Sequence, residues 1–136
     1  MVNNTTPGRW FRRIMWVGIA ADVAFALPTI AAPTAMIAMA GLPTAGSDLW
    51  PRFASLLIVM ISVFSMPAGL DIDRYRATAW LAVAWRLAAV VFFAFEPAYR
   101  LLMLVDGLFF VPLAILLTQA VRSERAPAAP PTVAAL

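Results

Sequence analysis

Four long runs of apolar residues, separated by short charged or proline-rich segments, take up most of this chain and make lipid the solvent in which it folds. About 20 apolar residues in a helix cross a hydrocarbon core roughly 30 Å thick. We place the spans at residues 14–32, 52–66, 78–95 and 99–121, the second being short enough that little tilt is expected. Inside a bilayer every backbone N–H and C=O must be satisfied within the protein, which for single runs of this kind means α-helix. The expected fold is therefore an all-α integral membrane four-helix bundle over residues 1–121, followed by a disordered Ala/Pro-rich tail at 122–136. Only 12% of the residues are charged, against about a quarter in soluble domains, which leaves little material for a domain outside the membrane.

The borders of the runs carry topological signals. Arg9, Trp10, Phe11, Arg12 and Arg13 mix positive charge with interfacial aromatics ahead of the first span. Asp22, in the middle of that run, argues against reading it as a secretory signal, and Pro28 is expected to kink or end the helix. Between the first and second spans, Thr34 to Ala40 sits between Pro33 and Gly41, a start and stop pair for a short helix. Seven residues cannot cross a membrane, so this helix is expected to lie along the interface with Met36, Ile37 and Met39 turned to lipid or to the bundle mouth. Pro67 and Gly69 are expected to close the second span, and Pro112 to bend the fourth. The tight turn at Glu96 and Pro97 makes the third and fourth spans antiparallel neighbours. Of the Arg residues outside the spans, seven lie in the N-terminal flank, the loop after the second span and the C-terminal flank, against Arg52 and Arg100 on the other side. The positive-inside rule then puts both termini in the cytoplasm, and basic residues that are all Arg, with abundant Ala, read as the coding bias of a GC-rich bacterium, whose inner (cytoplasmic) membrane is the expected location.

Composition excludes several chemistries. The chain has neither Cys nor His, so no thiolate nucleophile, disulfide relay, histidine-held metal or haem, or imidazole acid/base can operate. No metal site is expected. All ten basic residues are Arg and they are scattered along membrane borders, which gives nucleic acid no basic face to bind. The two halves share no residue pattern that would mark an internally duplicated transporter.

Three ionisable residues fall inside the apolar runs: Asp22, Arg86 and Asp106. Each costs at least about 2.5–3.5 kcal/mol at mid-bilayer, so none should face lipid alone. At about 1.5 Å of rise per residue, Arg86 lies roughly 15 Å from the edge marked by Arg76, and Asp22 about 13 Å from Arg13. Measured from the turn at Pro97, Arg86 is about 16 Å deep and Asp106 about 14 Å. The matched depths predict one buried cluster in which a guanidinium with five donors bridges two carboxylates and ties the first, third and fourth spans together. Such a cluster can serve as a register device for folding, or as a receptor for the polar end of a lipophilic molecule or part of a proton path. Gly18, Asp22 and Ala26 share one stripe of the first helix, and Ala82, Arg86 and Ala89 one stripe of the third, a spacing that favours close helix approach.

Two further groups stand at the ends of the bundle. The loop Asp71, Asp73, Arg74, Tyr75 and Arg76 reads as a cytoplasmic interface, with Asp73 capping the third helix, Arg74 and Arg76 on anionic headgroups and Tyr75 in the aromatic belt. Its Asp-x-Asp beside Arg also fits a metal-phosphate site, the less favoured reading. Trp50, Arg52, Glu96, Tyr99 and Arg100 are expected to ring the opposite mouth as interfacial anchors. Phe92, Phe93, Phe95, Phe109 and Phe110 are core or lipid-facing fill, or a surface for a ring-bearing lipid.

The stretch WPRFASLLIVMISVFSMPAGLD from Trp50, then DRYRATAW from Asp73, then Arg86 with Phe92 and Phe93, and finally Asp106 resembles a group of small four-helix bacterial membrane proteins of DoxX-like layout, over about residues 10 to 121. The resemblance implies the four-helix bundle and the short interfacial helix, and brings no catalytic residue with it. Without a catalytic constellation or cofactor motif, the leading expectation is a non-enzymatic accessory or partner-binding membrane protein, a subunit of a redox or photosynthetic complex. Its partners would be membrane lipids and a larger membrane complex, with a bound lipid, quinone or pigment but no resident cofactor. The alternatives are a membrane-embedded isomerase or cyclase of a terpenoid-, steroid- or quinone-like substrate, using Asp22, Asp106 or Glu96 as acid/base beside Arg86, and a small transporter or channel.

Overall fold

The computed structural model describes residues 1–44 and 46–125, and these are helical with short connections. The long helices are α1 (Thr6–Ala31), α3 (Leu49–Leu70), α4 (Arg76–Ala94) and α5 (Arg100–Arg125), with the short α2 (Pro33–Met39) directly after α1. All four long helices are apolar and long enough to cross a membrane. Single 3-10 turns precede α1 at Val2–Asn4 and α5 at Pro97–Tyr99.

Most helices exceed the apolar runs that mark them, and each extension has a local cause. α1 begins eight residues before Ile14, because the Thr5 hydroxyl accepts from the Gly8 N–H at 3.1 Å and Pro7 occupies the first turn, where its missing donor costs nothing. α3 does not close at Pro67: the helix runs to Leu70, and the Pro67 carbonyl accepts from the Asp71 N–H at 3.0 Å. α5 passes through Pro112 and continues beyond Val121 to Arg125, so the first residues of the expected tail are helical. Ser123 returns its hydroxyl to the Ala120 carbonyl, and Arg76 of α4 pairs with Glu124. The rest of that tail, residues 126–136, lies outside the described residues.

The helices form a ring in the order α1, α3, α4, α5, so that α1 and α4 stand diagonally opposite and the α3–α4 seam is the thinnest contact. The core is concentrated at the end that holds both the N-terminus and the end of α5. Phe11, Met15 and Ile19 of α1 meet Ala68 of α3, Ala79 and Val83 of α4, and Leu113 and Leu117 of α5. Beyond Arg86 on α4 and before Leu113 on α5 no described residue is fully buried, so at the opposite end α4 and α5 are loosely packed, while Ala26 and Thr29 of α1 and Ser55 of α3 stay buried.

Candidate functional site

The three intramembrane charges meet at the boundary between the packed and the open halves of the ring. Arg86 of α4 reaches across the bundle diagonal to Asp22 of α1, to which its Nη2 donates, while its Nη1 donates to Oδ1 of Asp106 on α5 at 2.6 Å. Ser62 of α3 donates to the Asp22 oxygen that Arg86 holds, at 3.4 Å, so all four spanning helices contribute one member. The side chains are only 13% (Arg86), 20% (Asp22) and 15% (Asp106) exposed. Helix period explains the convergence on α1, where Gly18 lies one turn from Asp22. A Cβ at Gly18 would stand 3.3 Å from the Phe109 ring and 3.4 Å from Arg86 Nη2, so the glycine lets the ring and the guanidinium pack closely against α1. Phe109 in turn carries the Arg86 guanidinium over its ring face at 5.2 Å, a cation–π contact.

The cluster closes one end of a cavity of about 500 Å³ lying in the α3–α4 seam. Ala54, Leu57 and Ile58 of α3 form one wall, and Trp85, Ala89 and Phe92 of α4 the other, with Asp22, Arg86 and Asp106 as the polar floor. Its size falls in the range of about 300–1,000 Å³ common for small-molecule sites, and its lining is apolar with a few convergent polar groups, the usual make-up of such sites. On the other side of the cluster a void of about 20 Å³, room for one water, touches Asp22, Arg86 and Ser65.

Each carboxylate commits only one oxygen. Asp22 Oδ2 and Asp106 Oδ1 accept the bonds above, and among the described residues no protein donor reaches Asp22 Oδ1 or Asp106 Oδ2. Neither of these oxygens is sealed from its surroundings. With two carboxylates and one guanidinium, the fully ionised floor carries one surplus negative charge.

The other expected site residues separate. Glu96 is exposed at the open end and does not line the cavity. Of the aromatic run, Phe92 and Phe93 line the cavity, Phe109 supports Arg86, Phe110 packs against the core, and Phe95 is 80% exposed. Tyr99 stacks on Phe93 with ring centroids 5.8 Å apart, which carries the aromatic wall to the mouth. Trp50, Arg52 and Arg100 are exposed at that end, as interfacial anchors would be.

The loop at the packed end does something the sequence reading missed. Asp73 does not cap α4, whose N-cap is Tyr75 and makes no side-chain capping bond. Instead Asp73 accepts the backbone N–H of Val2 at 2.8 Å and of Asn3 at 3.2 Å. Asn3 in turn donates through Nδ2 to Asp71 at 2.6 Å and accepts the Ile72 N–H at 2.9 Å. Asp71 lies well outside the span and its carboxyl is held below the usual range, first by the Arg74 N–H and then by Asn3. Both carboxylates of the Asp-x-Asp pair are thus spent on latching the N-terminal turn, with Val2 fully buried beneath it. Arg12 and Trp16 of α1 donate to the Gly69 carbonyl, one of the orphan acceptors at the end of α3, and complete this seal. The signal was present as Asn3 and Asn4 ahead of a capped helix, but nothing local says which acceptor an amide will find.

No protein-family model, no curated protein and no solved structure matches this chain, so the DoxX-like layout brings nothing to the reading of the site.

Proposed function

We propose that this protein binds an amphipathic lipophile inside the membrane, taking the apolar body between α3 and α4 and the polar head on the Asp22–Arg86–Asp106 floor. One observation carries the reading: an apolar cavity of about 500 Å³ ends on the only ion cluster buried among the spanning helices of the described residues, at the thinnest seam of the ring. The thin seam gives a molecule dissolved in lipid a sideways route in, and the packed core with its N-terminal latch stops it at the floor. The role is non-enzymatic and accessory in kind, presentation or sequestration of the lipophile to a larger membrane complex. The excess of Arg at the latched end favours a bacterial cytoplasmic membrane with both termini on the cytoplasmic side.

A photoactivatable hydrocarbon probe in phosphatidylcholine nanodiscs tests the reading. Labelling is expected to concentrate on the half-buried cavity residues Ile58 and Phe93, and Ala89→Phe, which fills the cavity, should cut that labelling several-fold while the outward Leu81 is labelled as before. Equal labelling of cavity and outward positions, unmoved by Ala89→Phe, would sink it.

The uncommitted oxygens of Asp22 and Asp106 beside an apolar cavity favour a second reading, an isomerase or cyclase that moves protons on its bound lipophile. Structural conversion of the bound molecule by purified protein, lost in Asp106→Asn, is the outcome that selects it.

A further inference from the structure

We infer that the lipophile carries a cationic, hydrogen-donating head, an ammonium on an apolar or aromatic body. The inference rests on the lipophile-binding reading and adds the chemistry of the head. Three features of the floor converge on it. Arg86 spends one N–H of each Nη on a carboxylate, and an incoming anion would join a floor that already holds two carboxylates to one guanidinium. One oxygen of Asp22 and one of Asp106 have no donor among the described residues and can accept N–H or O–H from the ligand. With both carboxylates ionised the floor carries one uncompensated negative charge in an apolar interior, where a compensating charge is worth far more than in water, and an ammonium then satisfies the oxygens and balances the floor at once. The walls agree with the floor, because Trp85, Phe92 and Phe93 line the same cavity and present ring faces or edges to a cation or a ring entering between α3 and α4.

The charge balance supplies the control. Asp106→Asn keeps an oxygen that can accept from Arg86 Nη1 while removing the surplus, and leaves Asp22 and Arg86 as a neutral pair. Dodecylammonium, dodecanol and dodecanoate share one chain length and differ in the head alone. Each is used to displace the photoactivatable hydrocarbon from the cavity of the full chain, in phosphatidylcholine nanodiscs at pH 7, so that no bulk lipid supplies a primary ammonium. Dodecylammonium is expected to compete at a concentration at least about tenfold lower than dodecanol, with dodecanoate the weakest. In Asp106→Asn the ammonium and the alcohol should come within about twofold of each other, while Asp106→Glu, which keeps the charge, should retain the preference. Equal competition by ammonium and alcohol in the unaltered protein overturns the cationic head and leaves lipophile binding standing. A better competition by dodecanoate overturns it too. Absence of cavity labelling in the unaltered protein overturns the binding reading and the present inference together.

Discussion

Arg86 holds two carboxylates from two other helices, so its loss strands both of them inside the bundle. Removing one partner of a buried ion pair costs about 3–5 kcal/mol, because the charges left behind remain desolvated. Arg86→Met leaves two such carboxylates, so the variant is expected to lose its thermal transition in detergent or to melt far below the parent, as fluorescence melting would register. Asp106→Asn, which keeps an acceptor, should melt within a few degrees of the parent. Gly8 is the second residue with no room to change: a Cβ there would lie 2.1 Å from the Val2 carbonyl oxygen, which is backbone and cannot step aside without breaking the latch. Gly8→Ala is expected to cost on the order of 1–3 kcal/mol, measured by the same melts. Asp71 contributes through pH. Its folded carboxyl is held below the ordinary value of 3.8, so its contribution is complete above that value and fades as the pH falls through the lower, folded one. Asp71→Asn should flatten the acid limb of the stability curve below about pH 4 and leave melting at higher pH free of any further pH dependence from this site.

At the scale of elements, the N-terminal turn acts as a strap over the ends of α3 and α4. Its partners Asp71, Ile72 and Asp73 lie about 70 residues away, between those two helices. Deleting residues 1–4 removes these hydrogen bonds and the buried Val2 together. At about 1 kcal/mol net for each bond, the expected loss is on the order of 2–4 kcal/mol, accompanied by faster proteolysis of the 71–76 loop. Both the melt and the cleavage rate check it. Away from that end the α3–α4 seam has the least packing of the ring, which makes it the proposed route of entry for a lipophile.

For the whole molecule, the packed core and the cavity are divided along the bundle axis. The buried core occupies the latched half, the cavity the open half, and the ion cluster marks the border. Binding-site substitutions far from the latch, such as Ala89→Phe, should therefore change occupancy of the cavity with little change in melting, whereas core changes such as Leu117→Ala should cost about 2–5 kcal/mol by cavity creation. The proposed orientation is checked by accessibility of single cysteines introduced into this cysteine-free chain. A cysteine at Arg74 should react only from the cytoplasmic side, and one at Trp50 only from the other.

Much of this was legible along the chain. Apolar run length made the four helices, Pro33 and Gly41 the short one, and the cost of charge in hydrocarbon singled out Asp22, Arg86 and Asp106 at matched depths. Rise per residue is a coordinate along the membrane normal, so depth can be read from position. Rotation about that normal cannot, because helices apolar on nearly every side carry no stripe that says which face meets which neighbour. Matched depth already predicted that Arg86 takes both carboxylates; only the packed structure decided that Ser62 joins them, that Asp73 holds the N-terminus instead of α4, and that the thin seam with its cavity falls between α3 and α4. Each of these is a meeting of side chains from helices distant in sequence, fixed by which small residues let two helices come close and which bulky ones hold them apart.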